Sequence, residues 1–312
     1  MPILKNKDYK KCFGEKFFFS KIVDQKIRQS KLSYIFVKQK NLEKIYLDLI
    51  NLIFFSKMSI SGKHRHKQWE KGWKYNFSQF KVKKNLNSLV PMWFYANRLK
   101  PLRLFGQFIK PTTLNFEYKF KKIFLYYIFS KYFKKMENIY EFGCGTGHDL
   151  LLMREIYVNK NLMGLDWSLN SRNIIKLINK KNKNAKIGFN FFNFFDFNVD
   201  SFAIPENTGV LTSGALEQTG GNYKKFVRML INKKVKICVN IEPMEEFYDF
   251  KNKLLDKFAY IYHKKRKYLK EYLNYLKLLE KKKIIQIIKI QRNGLGCYKH
   301  ESYNYVVWKV NQ

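Results

Sequence analysis

The feature that most restricts how this chain can fold is the run YEFGCGTGHDLLL, from Tyr140 to Leu152. Three glycines, Gly143, Gly145 and Gly147, alternate directly after a strand-like segment and directly before a helical one. Glycine permits a tight turn and lets backbone approach a ligand closely. The free amides at the start of the helix favour an anionic or electron-rich group. A dinucleotide loop, GxGxxG, would need glycine at 148, where this chain has His148. Three glycines exceed what a plain turn needs, so the run is read as a ligand loop of another kind.

From residue 136 onward, strands and helices alternate. Strands are expected at 138–143, 162–166, 186–192, 208–214 and 235–242, from short β-branched and aromatic runs. Helices are expected at 147–158, up to about residue 181, at 222–231, and as one long amphipathic element over 251–282. The segments IIQIIKIQ and YNYVVWKV close the chain as two strands. Such alternation implies an α/β fold, with a mostly parallel sheet covered by helices on both faces.

Two further carboxylates sit where this arrangement puts ligand contacts. Asp166 ends the second strand, about 20 residues past the glycine loop, where an acid accepts hydrogen bonds from ribose hydroxyls. It could instead cap the next helix, a role that Ser168 can also fill. Asp196 follows the third strand and is placed to meet an adenine amino group, with Phe195 or Phe197 against the ring. The alternative is a loop aspartate among core aromatics.

Glu141 to Gly147, Asp166, Asp196 and the element order resemble class I S-adenosylmethionine-dependent methyltransferases, over roughly residues 136–310. The resemblance implies a Rossmann-like sheet of seven strands, the last antiparallel. It implies S-adenosyl-L-methionine as cofactor. Glu141 and Gly143, Gly145 and Gly147 would hold its methionine part, Asp166 the ribose and Asp196 the adenine. The segments ALEQTG, IEPMEEFYD and YHKKRKYL are similar to methyltransferases of carbohydrate and cell-surface polysaccharide gene clusters, which implies a sugar hydroxyl as acceptor, free or nucleotide- or lipid-linked.

In that fold the methyl group faces the ends of the fourth and fifth strands. Methyl transfer is an in-line displacement that depends on alignment, and an oxygen acceptor must also lose a proton. Glu217 is the first candidate base, and Glu242 and His263 are its rivals. Glu217 and Gln218 have the alternative role of fixing the loop or touching the cofactor. His263 and Arg266, near one another on one helix, suit a phosphate or sugar, or are solvated.

Residues 1–135 are expected to form a helical cap over the open end of the sheet, ahead of a cofactor-binding domain at 136–312. Helical stretches are expected within 21–55, and an amphipathic helix over 117–133. Pro91, Pro101 and Pro111 exclude one long helix between them. Candidates for substrate contact in the cap are His64, His66, Trp69, Trp73 and Arg103, since indoles stack on sugar rings and arginine suits phosphate. Trp69 and Trp73, at i and i+4, equally form one apolar helix face. His64 and His66 alone do not make a metal site.

Composition adds limits. Among 312 residues, 61 are Lys or Arg and 24 are Asp or Glu, a formal charge of +37. That charge either serves an anionic partner, as in an RNA methyltransferase, or reflects the compositional drift of an AT-rich genome. The lysines are spread through every segment rather than gathered in one patch, and no RNA-binding module is evident. A noncatalytic binding protein of the same fold would show decay of the glycine loop, and the loop is intact. Apolar residues at 46% suffice for a core. Cys12, Cys144, Cys238 and Cys297 are dispersed, which argues against zinc or a disulfide framework and suits a reducing cytoplasm. No apolar run approaches the roughly 18 residues of a spanning helix.

Overall fold

The computed structural model describes residues 1–96, 100–200 and 202–311. In its first part, helices α1 (Asn6–Phe13) and α2 (Lys21–Ser30) precede strand β1 (Tyr34–Phe36) and helix α3 (Gln39–Ile50). Helices α4 (His66–Lys83) and α5 (Trp93–Ala96) follow, then strands β2 (Leu102–Leu104) and β3 (Gln107–Pro111), and helix α6 (Phe116–Tyr132). The second part alternates: β4 (Asn138–Phe142), α7 (His148–Ile156), β5 (Asn161–Asp166), α8 (Leu169–Lys181), β6 (Ile187–Phe191), β7 (Thr208–Ser213), α9 (Lys224–Asn232) and β8 (Ile237–Ile241). It closes with α10 (Leu254–Arg266), α11 (Tyr272–Lys281), β9 (Ile285–Gln291), β10 (Leu295–Cys297) and β11 (Tyr305–Val310).

The main sheet has seven strands in the order β6-β5-β4-β7-β8-β11-β9. Strands β4 to β8 run parallel, and β11 lies antiparallel between β8 and β9. The alternation of strands and helices predicts the parallel sheet, and the seven-stranded order with one antiparallel strand is the Rossmann-like fold that the resemblance to class I methyltransferases implies. The order reverses between β5-β4 and β4-β7, so a crevice opens at the carboxyl ends of β4 and β7. Strands β4 and β8 are buried at every position, as required of a parallel sheet covered on both faces. Within the sheet, Asn240 is fully buried and fully used. Its Oδ1 accepts from the Tyr272 hydroxyl at 2.8 Å and from Trp308 Nε1 at 2.9 Å, and its Nδ2 donates to Thr212 Oγ1 at 3.0 Å. That network ties β7, β8, β11 and α11 together.

The cap departs from an all-helical expectation. Strands β1, β3, β2 and β10 form a second, four-stranded sheet. Its last member comes from between the final strands of the main sheet, with Gly296 opposite Arg103. At three residues, β1, β2 and β10 are too short to carry a readable alternation. The composition change near residue 135 is not matched by a break in packing. One apolar core runs from Leu4 and Phe13 through Phe120 and Phe124 to Ile139, Tyr305 and Val307.

The long helix expected over 251–282 is two helices. Between α10 and α11, Lys267 and Glu271 adopt left-handed backbone, with φ of 50° and 56°. The break turns Tyr268 and Leu269 inward, and both are buried.

Gly296 marks where the two sheets lock. A Cβ there would lie 2.3 Å from the His300 carbonyl oxygen and 2.5 Å from Glu301 Cα, both backbone atoms. Gly296→Ala is expected to lower stability by about 1–3 kcal/mol, the usual cost of overpacking. Urea unfolding with an unchanged midpoint would show that the β10 clasp tolerates displacement.

Candidate active site

The glycine loop forms because its residues turn where side chains would collide. Gly143, Gly145 and Gly147 all have positive φ, at 77°, 53° and 68°. A Cβ on Gly143 would sit 2.3 Å from the Ala215 Cβ, and one on Gly145 would sit 2.8 Å from the Trp73 ring. The loop therefore touches the β7 loop on one side and the cap on the other. Asp166, at the end of β5, reaches back across it. Its Oδ2 accepts from Gly145 N at 2.8 Å and its Oδ1 from Ser168 N at 2.9 Å. Burial pushes the Asp166 carboxyl up to about 6, against the pull of those two amides. The N-cap of α8 is Ser168, whose Oγ accepts from Asn170 N and Ser171 N. Capping and ligand contact are thus divided between two residues.

Glu141 lies beneath the loop, 3% exposed, with its Oε2 bonded to nothing among the described residues. Burial, then the nearby Asp149 carboxylate, raises its carboxyl well above the ordinary range. Burial would raise Asp149 as well, but Lys121 Nζ at 2.9 Å and His148 more than offset that and hold it below its ordinary value. The orphaned acceptor of Glu141 thus lies beside the glycine loop and Asp166 on one cavity wall, where a ligand donor could meet it.

These groups line a cavity of about 350 Å³ that continues to the end of β7 and under the cap. Its aromatic walls are Trp69, Trp73 and Trp93 from the cap, and Trp167 and Phe195 from the main domain. Trp69 and Trp73 stack at 5.7 Å, so the i, i+4 helix face and the cavity wall are one and the same. Trp167 and Phe195 stack at 5.8 Å. Helix α4 is fixed over the cleft by His66, whose Nε2 lies 3.3 Å from the Trp167 carbonyl, and by Glu70, which accepts from Asn170 N at 3.1 Å.

At the other end stand Glu217, Gln218, His300, Tyr262, Tyr268, Arg65 and Arg266. Glu217 Oε1 accepts from Gln218 Nε2 at 2.6 Å, and Gln218 Oε1 in turn accepts from the Arg65 guanidinium. Burial raises the Glu217 carboxyl, while His300 opposes the rise. Burial pushes His300 down to about 4, so its ring is neutral at physiological pH. Glu117 also faces this space. Its carboxyl, pushed up to about 7 by burial, accepts from the Tyr303 hydroxyl at 2.9 Å.

Several expected site residues lie elsewhere. Asp196 is exposed and does not line the cavity, because the chain turns outward after Phe195. Glu242 is fully buried behind the β7 loop. Its Oε1 accepts from Ala215 N and Leu216 N at 3.1 Å, and its Oε2 from Glu217 N at 3.0 Å. It positions the loop that carries Glu217 and does not border the cavity. His263 is buried behind His300, with 3.4 Å between their ring nitrogens. Arg103 is a structural pin, donating from Nε to the Tyr298 carbonyl at 3.0 Å and from Nη1 to the Leu255 carbonyl at 2.8 Å. His64 is exposed. Arg65, His300, Glu117 and Trp167 were not anticipated. Arg65 sits between the two histidines that drew attention, and Trp167 directly follows Asp166. Nothing in the sequence ties the loop holding His300 to Glu217.

No family model matches the chain, and neither does any curated protein. Among solved structures it is similar to the N,N-8-amino-8-demethyl-D-riboflavin dimethyltransferase RosA from Streptomyces davawensis, at 12% identity and a TM-score of 0.40 over 78% of this chain and 69% of that one. The methyltransferase domain of bacterial CtHen1-C is similar at 11% identity and a TM-score of 0.46, over 62% of this chain and 99% of that one. PigF, solved with SAH, gives 10% identity and 0.45, over 86% and 68%. At such values these are likenesses of overall shape. The class I methyltransferase fold is defined here by the strand order itself and by the cleft at its reversal.

Glu242→Gln tests the hold on the β7 loop. Glutamine offers one acceptor oxygen for three amides and turns an NH₂ group toward a backbone donor. Stability should fall by roughly 1–3 kcal/mol, the cost of stranding buried donors. Equal unfolding free energies for the two proteins would remove Glu242 from this role.

Proposed function

We propose that this protein is an S-adenosylmethionine-dependent methyltransferase that methylates a hydroxyl of a small acceptor, a sugar. One observation carries the reading: a single cavity is bounded at one end by the glycine loop, Glu141 and Asp166, and at the other by Glu217 and His300. Glu141 Oε2 would accept from the amino group of the cofactor's methionine part. Asp166 spends one lone pair of each oxygen on backbone amides and keeps the others for the two ribose hydroxyls. Trp167 and Phe195 offer ring faces to the adenine, a task assigned to Asp196 from sequence alone. The cofactor supplies an electrophilic methyl group on a sulfonium centre.

The remaining chemistry belongs to the chain. An acceptor hydroxyl must lie in line with the methyl group, in the space between the glycine loop and Glu217 that Trp69 and Trp93 help to wall. Glu217 takes the hydroxyl proton, held in place through its backbone amide by Glu242 and through its side chain by Gln218. Neutral His300 beside it is a second acceptor for the same proton. Cap residues Trp69, Trp73 and Trp93 exclude water from the reacting groups.

Calorimetry should detect S-adenosylmethionine binding, and Asp166→Ala should weaken it by roughly 1–3 kcal/mol. Equal affinity for NAD would overturn the assignment. Mass spectrometry of glycans from cells lacking the protein should show a lost methyl increment. Intact methylation there would sink the sugar reading.

Glu217→Gln should lower kcat by about 10²–10⁴, the usual contribution of a general base. A base works deprotonated, so wild-type kcat should fall as pH drops through the raised Glu217 pKa, above the ordinary carboxylate range. That acid limb should vanish in Glu217→Gln. If it persists, His300→Gln becomes the decisive variant.

A further inference from the structure

Two guanidiniums in the cavity have no carboxylate to pair with. Arg65 is 7% exposed and Arg266 is half-buried, and both line the acceptor end. Neither makes an ion pair among the described residues, nor does Lys299 on the same wall. Arg65 spends Nε on Gln68 and Nη1 on Gln218, and its Nη2 has no partner among the described residues. The Arg266 guanidinium makes no hydrogen bond among the described residues, and its Nε is buried without a partner.

Both groups stack on rings. Arg65 lies 5.0 Å from the Trp69 ring centre, and Arg266 lies 4.9 Å from that of Tyr268 and 5.9 Å from that of Tyr262. Stacking covers the flat faces and leaves the N–H edges for a ligand. Their mutual repulsion is real. Burial first, then the charge of Arg266, lowers the Arg65 pKa. A fold that brings two arginines to one cavity wall, buries one of them and leaves donors of both idle is built for an anion.

Taking the methyltransferase reading as given, we infer that Arg65 and Arg266, with Lys299, bind a phosphate group on the acceptor, so that the substrate class is a phosphorylated sugar or a sugar joined to another group through phosphate. Arg65 is the residue that connects this site to the chemistry. Its Nη1 holds Gln218, and Gln218 holds Glu217, so an anchored phosphate fixes the register of the acceptor hydroxyl against the base. Carboxylates nearby do not cancel the site. Glu217 is the carboxylate whose charge acts on Arg65, and it acts on Arg266 as well. Glu117, on α6, carries a carboxyl pushed up to about 7.

The test is direct binding of inorganic phosphate to the full chain at physiological salt, read by tryptophan fluorescence, since Arg65 rests on Trp69. Binding should weaken about tenfold or more in Arg65→Gln and in Arg266→Gln, and partly in Arg65→Lys, because a point charge replaces a bidentate fork. Lys183→Gln, an exposed change in the turn after α8, should leave binding unchanged. Melting temperatures of all variants identify any that fail to fold, and Arg266, half-exposed, is the safer of the two sites. Equal phosphate binding by wild type, Arg65→Gln and Arg266→Gln would overturn the inference, because the general lysine surplus would then be the binder. Preference for acetate or glucuronate over phosphate and sugar phosphates would overturn it too, in favour of a carboxylate. S-adenosylmethionine affinity, measured alongside, should be equal in all variants. Its absence from wild type with phosphate binding intact would sink the methyltransferase reading and leave the anion site standing.

Discussion

Three backbone amides converge on one buried carboxylate at the carboxyl edge of the sheet, and the site depends on that convergence. Glu242 takes the N–H groups of Ala215, Leu216 and Glu217, which open a short 3-10 helix over Leu216–Thr219 and have no partner within it. Without it the loop after β7 would need water where none can reach, since unmet buried donors are costly. With it, Ala215 packs against Gly143 so closely that no side chain fits between them. The glycine loop and the loop after β7 are therefore packed as one unit, and Glu217 inherits its position from a residue that does not line the cavity.

The cap completes this unit rather than merely covering it. Trp73 lies on Gly145, Glu70 binds the start of α8, and Arg65 reaches Gln218. Each contact joins a residue from before position 100 to a loop at the carboxyl edge. The small sheet secures the arrangement by taking β10 from the far end of the chain. The end of the cavity around Glu217 and His300 is thus assembled from the cap, the β7 loop, α10 and the β10–β11 connection, which is why its residues are scattered in sequence.

That scatter explains what was legible. The parallel strands, their helices, the glycine loop and Asp166 follow from local periodicity and from glycine spacing, and the structure has them where expected. Asp196 failed because the position after the third strand was read by analogy of place, while the chain there turns outward and leaves Phe195 and Trp167 facing in. Glu242 and His263 are polar residues in suggestive positions, but their side chains serve the fold. His300, Arg65 and Glu117 join the site only through tertiary packing, and no local pattern announces that. The short strands of the cap escaped notice because three residues show no period.

The clasp between β2 and β10 has a consequence for how the protein comes into being. Leu102 to Leu104 meet their last partners only at Leu295 to Cys297. Pairings so distant in sequence are slow to form, because a long loop must close first. During synthesis, nearly the whole chain must emerge before the edge of the small sheet is covered. Until then an unpaired, apolar edge stays open to other chains, the usual route to misassembly. The end of the cavity around Glu217 and His300, walled by the cap and by the connection that follows β10, is accordingly among the last parts of the molecule to mature.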